Sequence, residues 1–76
     1  MHRIQSITTK EDYKLEVLLD NGSIIILNLK SRLGTVRFGL LADPEFFCAA
    51  TTDGHFIRWG NLVEISVSEL FQLVQR

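Results

Sequence analysis

Asp53, His55, Arg58 and Glu64 lie close together in the chain and carry the side chains best suited to chemistry. An acid beside a histidine can orient an imidazole as a general base, an arginine can hold an anion, and Cys48 offers a nucleophile on the neighbouring strand. Together they outline a small-ligand or weakly catalytic site. Each member also has a plain structural role. Asp53-Gly54 is a turn dipeptide, a lone histidine near a strand is ordinarily a surface or packed residue, and a cysteine between Phe47 and Ala49 behaves as a small apolar residue. Two histidines and one cysteine, far apart in sequence, make no metal-ligand spacing. No catalytic residue, cofactor or metal is therefore assigned, and the chain reads as non-enzymatic.

A second set, Arg3, Lys30, Arg32 and Arg37, suggests an anion patch or a nucleic-acid surface. Neither interleaved aromatics nor a Gly-rich phosphate loop accompanies it. Eight Lys and Arg against nine Asp and Glu leave a formal charge of −1, too little field to attract nucleic acid non-specifically. Solvated surface charge is the simpler reading, and nucleic acid is not the expected partner.

Two hairpins must position these residues. In the first, Tyr13, Leu15, Val17 and Leu19 recur at the strand period with Lys14 and Glu16 on the other face, and Ile24 to Leu29 is a β-branched run suited to a pleated surface. Asp20-Asn21-Gly22 joins them. A two-residue loop would set Leu15 opposite Asn28; a three-residue loop with Gly22 in the left-handed region sets Leu15 opposite Leu27 and Val17 opposite Ile25. The second register is expected, because it gathers Tyr13, Leu15, Val17, Leu19, Ile25, Leu27 and Leu29 on one face. It leaves Ile24 and Ile26 beside Leu18 on the other. In the second hairpin, Cys48 to Thr52 and His55 to Trp59 flank Asp53-Gly54. Alternation sets His55, Ile57 and Trp59 against Phe56 and Arg58.

Between and around the hairpins the signals are shorter. Met1 to Thr9, with Ile4 and Ile7, reads as a first edge strand, and Thr9 to Asp12 as a polar connection. Lys30 to Thr35 is an exit loop. Val36 and Leu40, with Phe38 and Leu41, fit a short helix that Gly39 weakens. Asp43-Pro44-Glu45 starts another: an N-cap side chain, a proline at the first helical position and an acid near the helix dipole. Phe46 and Phe47 should then plug the core. Gly60-Asn61 ends a strand, and Val63 to Ile65 adds a further one. Ser66-Val67-Ser68-Glu69 matches a capping box, and Val67, Leu70, Phe71 and Val74 make the apolar stripe of a terminal helix. The expectation is a single α+β domain over residues 1–76: an antiparallel sheet built from two β-hairpins, a short helix between them, and a C-terminal helix packed on the sheet.

A chain of 76 residues buries only about 60% of its unfolded surface, so chains of this size commonly gain stability from disulfides, metals or association. With one cysteine and no metal spacing, association is the remedy left. The lone cysteine and a start without a signal-peptide pattern predict a cytoplasmic protein. The apolar runs are too short to span a membrane.

Gly22 between two strands, Leu41-Ala42-Asp43-Pro44-Glu45-Phe46-Phe47, and then Gly54, Ile57, Trp59, Asn61, Glu64 and Leu70 resemble a family of small bacterial proteins, domain of unknown function 2442. The resemblance covers most of the chain from Tyr13 onward. Leu62 stands where that family usually has glycine, and Val67 where it usually has proline. What the resemblance implies is a compact α+β unit, found alone or joined to a helix-turn-helix domain, and in some cases encoded beside another short protein in toxin–antitoxin-like pairs. This chain has no room for the helix-turn-helix part.

The expected function is a protein–protein interaction module, either a homodimer or the partner of another small protein, with Ile24, Ile26 and Trp59 as interface candidates. The alternatives are the ligand or weak catalytic site at Asp53, His55, Arg58 and Glu64, and a nucleic-acid-associated accessory role. Trp59 admits two placements: packed beneath the terminal helix near Phe71, or exposed at an edge as an interface anchor.

Overall fold

The computed structural model describes residues 3–74. It has the expected α+β architecture, in which each hairpin gains a third strand and forms its own antiparallel sheet. The first sheet runs in the order β1 (Ile4–Lys10), β2 (Lys14–Leu19), β3 (Ile24–Asn28). The second contains β4 (Thr51–Thr52), β5 (Phe56–Trp59) and β6 (Val63–Ser66), again in sequence order. A single turn of helix, α1 (Pro44–Phe47), lies between the sheets in sequence, and α2 (Val67–Val74) follows β6 directly.

The first hairpin takes the three-residue loop. Leu15 pairs with Leu27 and Val17 with Ile25, and Gly22 sits at φ 87°. A left-handed residue there lets the bulged turn follow the right-handed twist of the strands. Alternation then buries Leu15, Val17, Leu19, Leu27 and Leu29, with Ile25 and Tyr13 half-buried beside them. Ile57, Trp59, Val63 and Ile65 of the second sheet, Phe38, Leu41 and Phe47 of the connection, and Val67 and Leu70 of α2 complete the same core. Helix α2 closes over β3 through that core face.

Several expectations change in detail. The connection between β1 and β2 is tighter than a polar loop: Asp12 and Tyr13 both take positive φ, near 61° and 62°. Tyr13 thus precedes the strand instead of starting it. Its unfavourable backbone is held from three sides: its hydroxyl donates to the Ala42 carbonyl at 2.5 Å, its carbonyl accepts from the Leu29 amide, and its ring meets Phe47 edge-on. The segment expected as a helix on Val36 and Leu40 is a series of turns ending in a short 3₁₀ helix, Gly39–Ala42. Here Phe38 and Leu41 are buried, and Val36 and Leu40 face solvent. Asp43 caps α1 as expected, accepting from the Glu45 amide, but the helix stops after one turn. The Met1–Thr9 strand is seen from Ile4; Met1 and His2 lie outside the described residues.

Trp59 is fully buried, which removes it from any exposed edge of the chain. It stacks on Phe47, with its indole N–H donating to the Phe47 carbonyl.

Candidate functional site

Strand β3 ends the first sheet, and its hydrogen-bond phase determines what it offers. The Leu19 amide donates to the Ser23 carbonyl and the Leu29 amide to the Tyr13 carbonyl. In an antiparallel ladder these bonded pairs recur at every second residue, so Ile25 and Leu27 also turn their main-chain groups toward β2. Ile24, Ile26 and Asn28 turn theirs outward. Among the described residues those outward groups meet no strand.

The side chains at the same positions add an apolar surface. Ile24 is 60% exposed and Ile26 50% exposed. They stand opposite Leu18 and Glu16 of β2, which in turn pair with Ser6 and Thr8 of β1, so the outer face grades from apolar at β3 to polar at β1. A Lys10–Glu16 ion pair at 3.8 Å lies toward the polar side. No charged residue occurs between Ser23 and Leu29. Lysine, proline and bulges are the usual guards of an exposed edge, and β3 has none of them.

Strands β1 and β6 are each engaged at a single position of their outer edge. Strand β1 is bulged between Ile4 and Ser6, and the Ile4 amide donates to the Gly54 carbonyl at 2.8 Å, so β1 lies against the β4–β5 turn. On β6, the Glu64 carbonyl accepts from the Arg37 guanidinium at 2.7 Å. Arg37 also clasps the Glu69 carboxylate through both terminal nitrogens and lies 4.9 Å from the Phe38 ring centre. The Glu69 carboxyl is held below the usual carboxylate range, chiefly by this side-chain bond, and the guanidinium is raised in turn. The capping box is consequently half made. Ser66 accepts from the Glu69 amide at 3.1 Å, but the Glu69 side chain goes to Arg37 instead of back to the cap.

The second candidate site is brought together only in part. Arg58 Nη1 donates to Asp53 at 2.6 Å and Arg58 Nε to Glu64 at 2.8 Å, with the guanidinium 4.9 Å from the Phe56 ring centre. The other Asp53 oxygen accepts the amides of His55 and Phe56 at 2.9 and 3.0 Å. These two amides and Arg58 hold Asp53 far below the ordinary carboxylate range, with the His55 amide the largest cause; the two carboxylates raise Arg58. Such an aspartate is a permanent anion at neutral pH and a poor proton acceptor. His55 contributes its main chain to this arrangement; its exposed imidazole makes no bond with Asp53, Arg58 or Glu64. The cluster is internally satisfied and shapes the β4–β5 turn. Of the cluster, Arg58 and Glu64 line a surface hollow with Gly60, Asn61, Leu62 and Val63, and no unsatisfied buried polar group among the described residues is aimed into it.

Cys48 is exposed at the end of α1, apart from this cluster. Among the described residues no three His, Cys, Asp or Glu side chains converge as metal ligands. The basic set is dispersed: Lys30 pairs with Asp12 at 3.0 Å, Arg37 is held by Glu69, and Arg3 lies over Gly54. No helix among the described residues is long and apolar enough to cross a membrane.

What sequence reasoning missed is the pairing of Arg37, read there only as part of a basic set. Its partner Glu69 is 32 positions away, and no local pattern links the two. No family model matches this chain, and neither the curated proteins nor the solved structures yield a match.

Proposed function

We propose that this chain is a non-enzymatic protein–protein interaction module that accepts a partner's strand along β3. One observation carries the reading: the same three residues, Ile24, Ile26 and Asn28, present main-chain groups at the edge that pair with no strand among the described residues, while the two isoleucines present exposed apolar side chains. Strand addition uses both features, main-chain bonds for affinity and alternate side chains for specificity. The other exposed large apolar side chains among the described residues, Val36, Leu40, Leu62 and Val74, lie in turns, in the short 3₁₀ helix or at the end of α2 and offer no ladder. The resemblance to the small bacterial family is in keeping with such a module and stands here as a proposal. In the Asp53–Arg58–Glu64 cluster both carboxylates are already paired with the guanidinium, so no observation favours a ligand site there.

The test is a photo-reactive phenylalanine analogue at position 24 or 26, irradiated in cells of the source organism, with the same analogue at exposed Leu62 as control. Adducts formed from positions 24 and 26 but not from 62 are the expected result. Equal labelling from all three, or none from β3, would overturn the reading.

A further inference from the structure

We propose that Asn21 is a fold-gated deamidation site: its carboxamide is retained while the first hairpin is closed and is lost to attack by the Gly22 nitrogen when the hairpin opens. The proposal goes beyond the strand-addition reading and does not depend on it.

Three asparagines occur in the chain, and only Asn21 precedes a glycine; Leu29 follows Asn28 and Leu62 follows Asn61. The following residue decides the chemistry, because its main-chain nitrogen is the nucleophile and a side chain on it crowds the approach. Gly22 offers no such obstruction. Both loop residues are exposed, and beyond its chain neighbours nothing lies within 4 Å of where a Gly22 Cβ would stand, so solvent reaches the reacting atoms.

The step balances with water as the only co-reactant. A solvent base takes the Gly22 N–H proton, the nitrogen bonds to Asn21 Cγ, and the Cγ–Nδ2 bond breaks to release ammonia, which takes its proton from water. Water then opens the resulting cyclic imide at either carbonyl, breaking one C–N bond. Opening at Cγ gives aspartate, and opening at the main-chain carbon gives isoaspartate. Nothing is oxidised or reduced.

The closed hairpin withholds the nucleophile. The Gly22 N–H donates to the Leu19 carbonyl at 3.0 Å, and the Leu19 amide donates to the Ser23 carbonyl at 2.9 Å, so the nitrogen cannot lose its proton to solvent until the loop opens. Asn21 is engaged as well, its Oδ1 accepting from the Ser23 amide at 3.0 Å. The reaction therefore proceeds in proportion to the open fraction.

The other Asx-Gly turn gives the contrast. Gly54 is buried and its amide donates to the Thr52 hydroxyl at 3.1 Å, while Asp53 is held as a carboxylate by Arg58 and the amides of His55 and Phe56. A carboxylate must be protonated before it can lose water to the same ring closure, and these donors keep it ionised.

The product bears on the fold. Isoaspartate puts one extra carbon into the main chain before the Gly22 nitrogen and a new negative charge beside Asp20. The bulged turn fits three residues of ordinary length, so the added carbon displaces the bonds at Leu19 on which the pairing of Leu15 with Leu27 and Val17 with Ile25 depends.

The test incubates the full chain at mildly alkaline pH, folded in buffer and unfolded in guanidinium chloride, and follows each asparagine by peptide mapping with mass detection. In denaturant the carboxamide of Asn21 should be lost while Asn28 and Asn61 keep theirs. In buffer the loss should be at least about tenfold slower, the factor contributed by one net hydrogen bond, with the Gly22 amide protected from hydrogen exchange to a similar degree. Gly22→Ala should slow the loss in denaturant, where folding plays no part. Equal rates in buffer and denaturant would overturn the gating. Loss spread evenly over the three asparagines, or a rate in denaturant unchanged by Gly22→Ala, would overturn the site.

Discussion

The indole N–H of Trp59 donates to the Phe47 carbonyl at 2.9 Å while the two rings stack with centroids 6.2 Å apart. Phe47 in turn meets the Tyr13 ring edge-on at 5.4 Å. This aromatic chain links β5 to the end of α1 and to the tight turn before β2, so the two sheets share one core through it. Trp59→Phe removes both the donor and part of the ring volume. The expected loss is about 2–4 kcal/mol of unfolding free energy, read from urea denaturation. Native tryptophan emission should be blue-shifted and move red on unfolding; a solvent-like native spectrum would show the ring to be exposed.

Gly22 sits at φ 87° with nothing within 4 Å of where a Cβ would stand. The cost of a side chain there is therefore backbone strain alone. Gly22→Ala should destabilise the chain by about 1–2 kcal/mol without altering the denaturant slope. An unchanged midpoint would mean that the loop does not require the left-handed residue.

Arg37 joins the turn before Phe38 to β6 and the first turn of α2. About half of its side chain is exposed, so solvent screening limits what the ion pair contributes. Arg37→Met should cost about 1 kcal/mol, less in high salt, and should speed amide exchange at the start of α2. Retention of both stability and exchange rates would show that the contact contributes nothing.

The pH dependence follows from Asp53 and Glu69, whose carboxyls lie below their ordinary range when folded. Each is deprotonated more readily in the native state. The stability each contributes is complete above the unfolded carboxylate range, about pH 4, and is lost as pH falls through the lower folded value. The urea midpoint of the native chain should thus fall steeply below about pH 4. Asp53→Asn should flatten that fall and leave the profile above it nearly level. An unaltered acid limb would contradict the placement of Asp53 against the two amides and Arg58.

The parts of this fold written into local sequence were those with a short-range physical cause. Asp20-Asn21-Gly22 fixed a loop, period-two residues fixed a face, and together they determined the β3 register and the exposure of Ile24 and Ile26. Asp43-Pro44 announced α1 because cap and proline act on adjacent amides. Three features depended on long-range contacts and gave no local signal. Tyr13 takes positive φ because Ala42, Leu29 and Phe47 hold it there. Val36 and Leu40 lost their helix to the burial of Phe38 and Leu41, two residues of similar apolarity at a different phase. Glu69 left the capping box because Arg37 reaches it from a distant turn. Of the candidate site residues, Asp53, Arg58 and Glu64 met as their spacing suggested, whereas His55 did not, since Asp53 takes its amide and its side chain lies just before β5.

The central claim is that β3 accepts a partner's strand, and the most direct measurement is photo-crosslinking in cells from an analogue at exposed Asn28, in the otherwise unsubstituted chain and in the double variant Ile24→Lys, Ile26→Lys. Both isoleucines are exposed in the single chain, so the variant should fold with nearly unchanged stability. The account predicts a protein adduct from the strand with its isoleucines, and loss of that adduct in the folded variant. No adduct from the strand with its isoleucines, or one that survives both lysines, would contradict it.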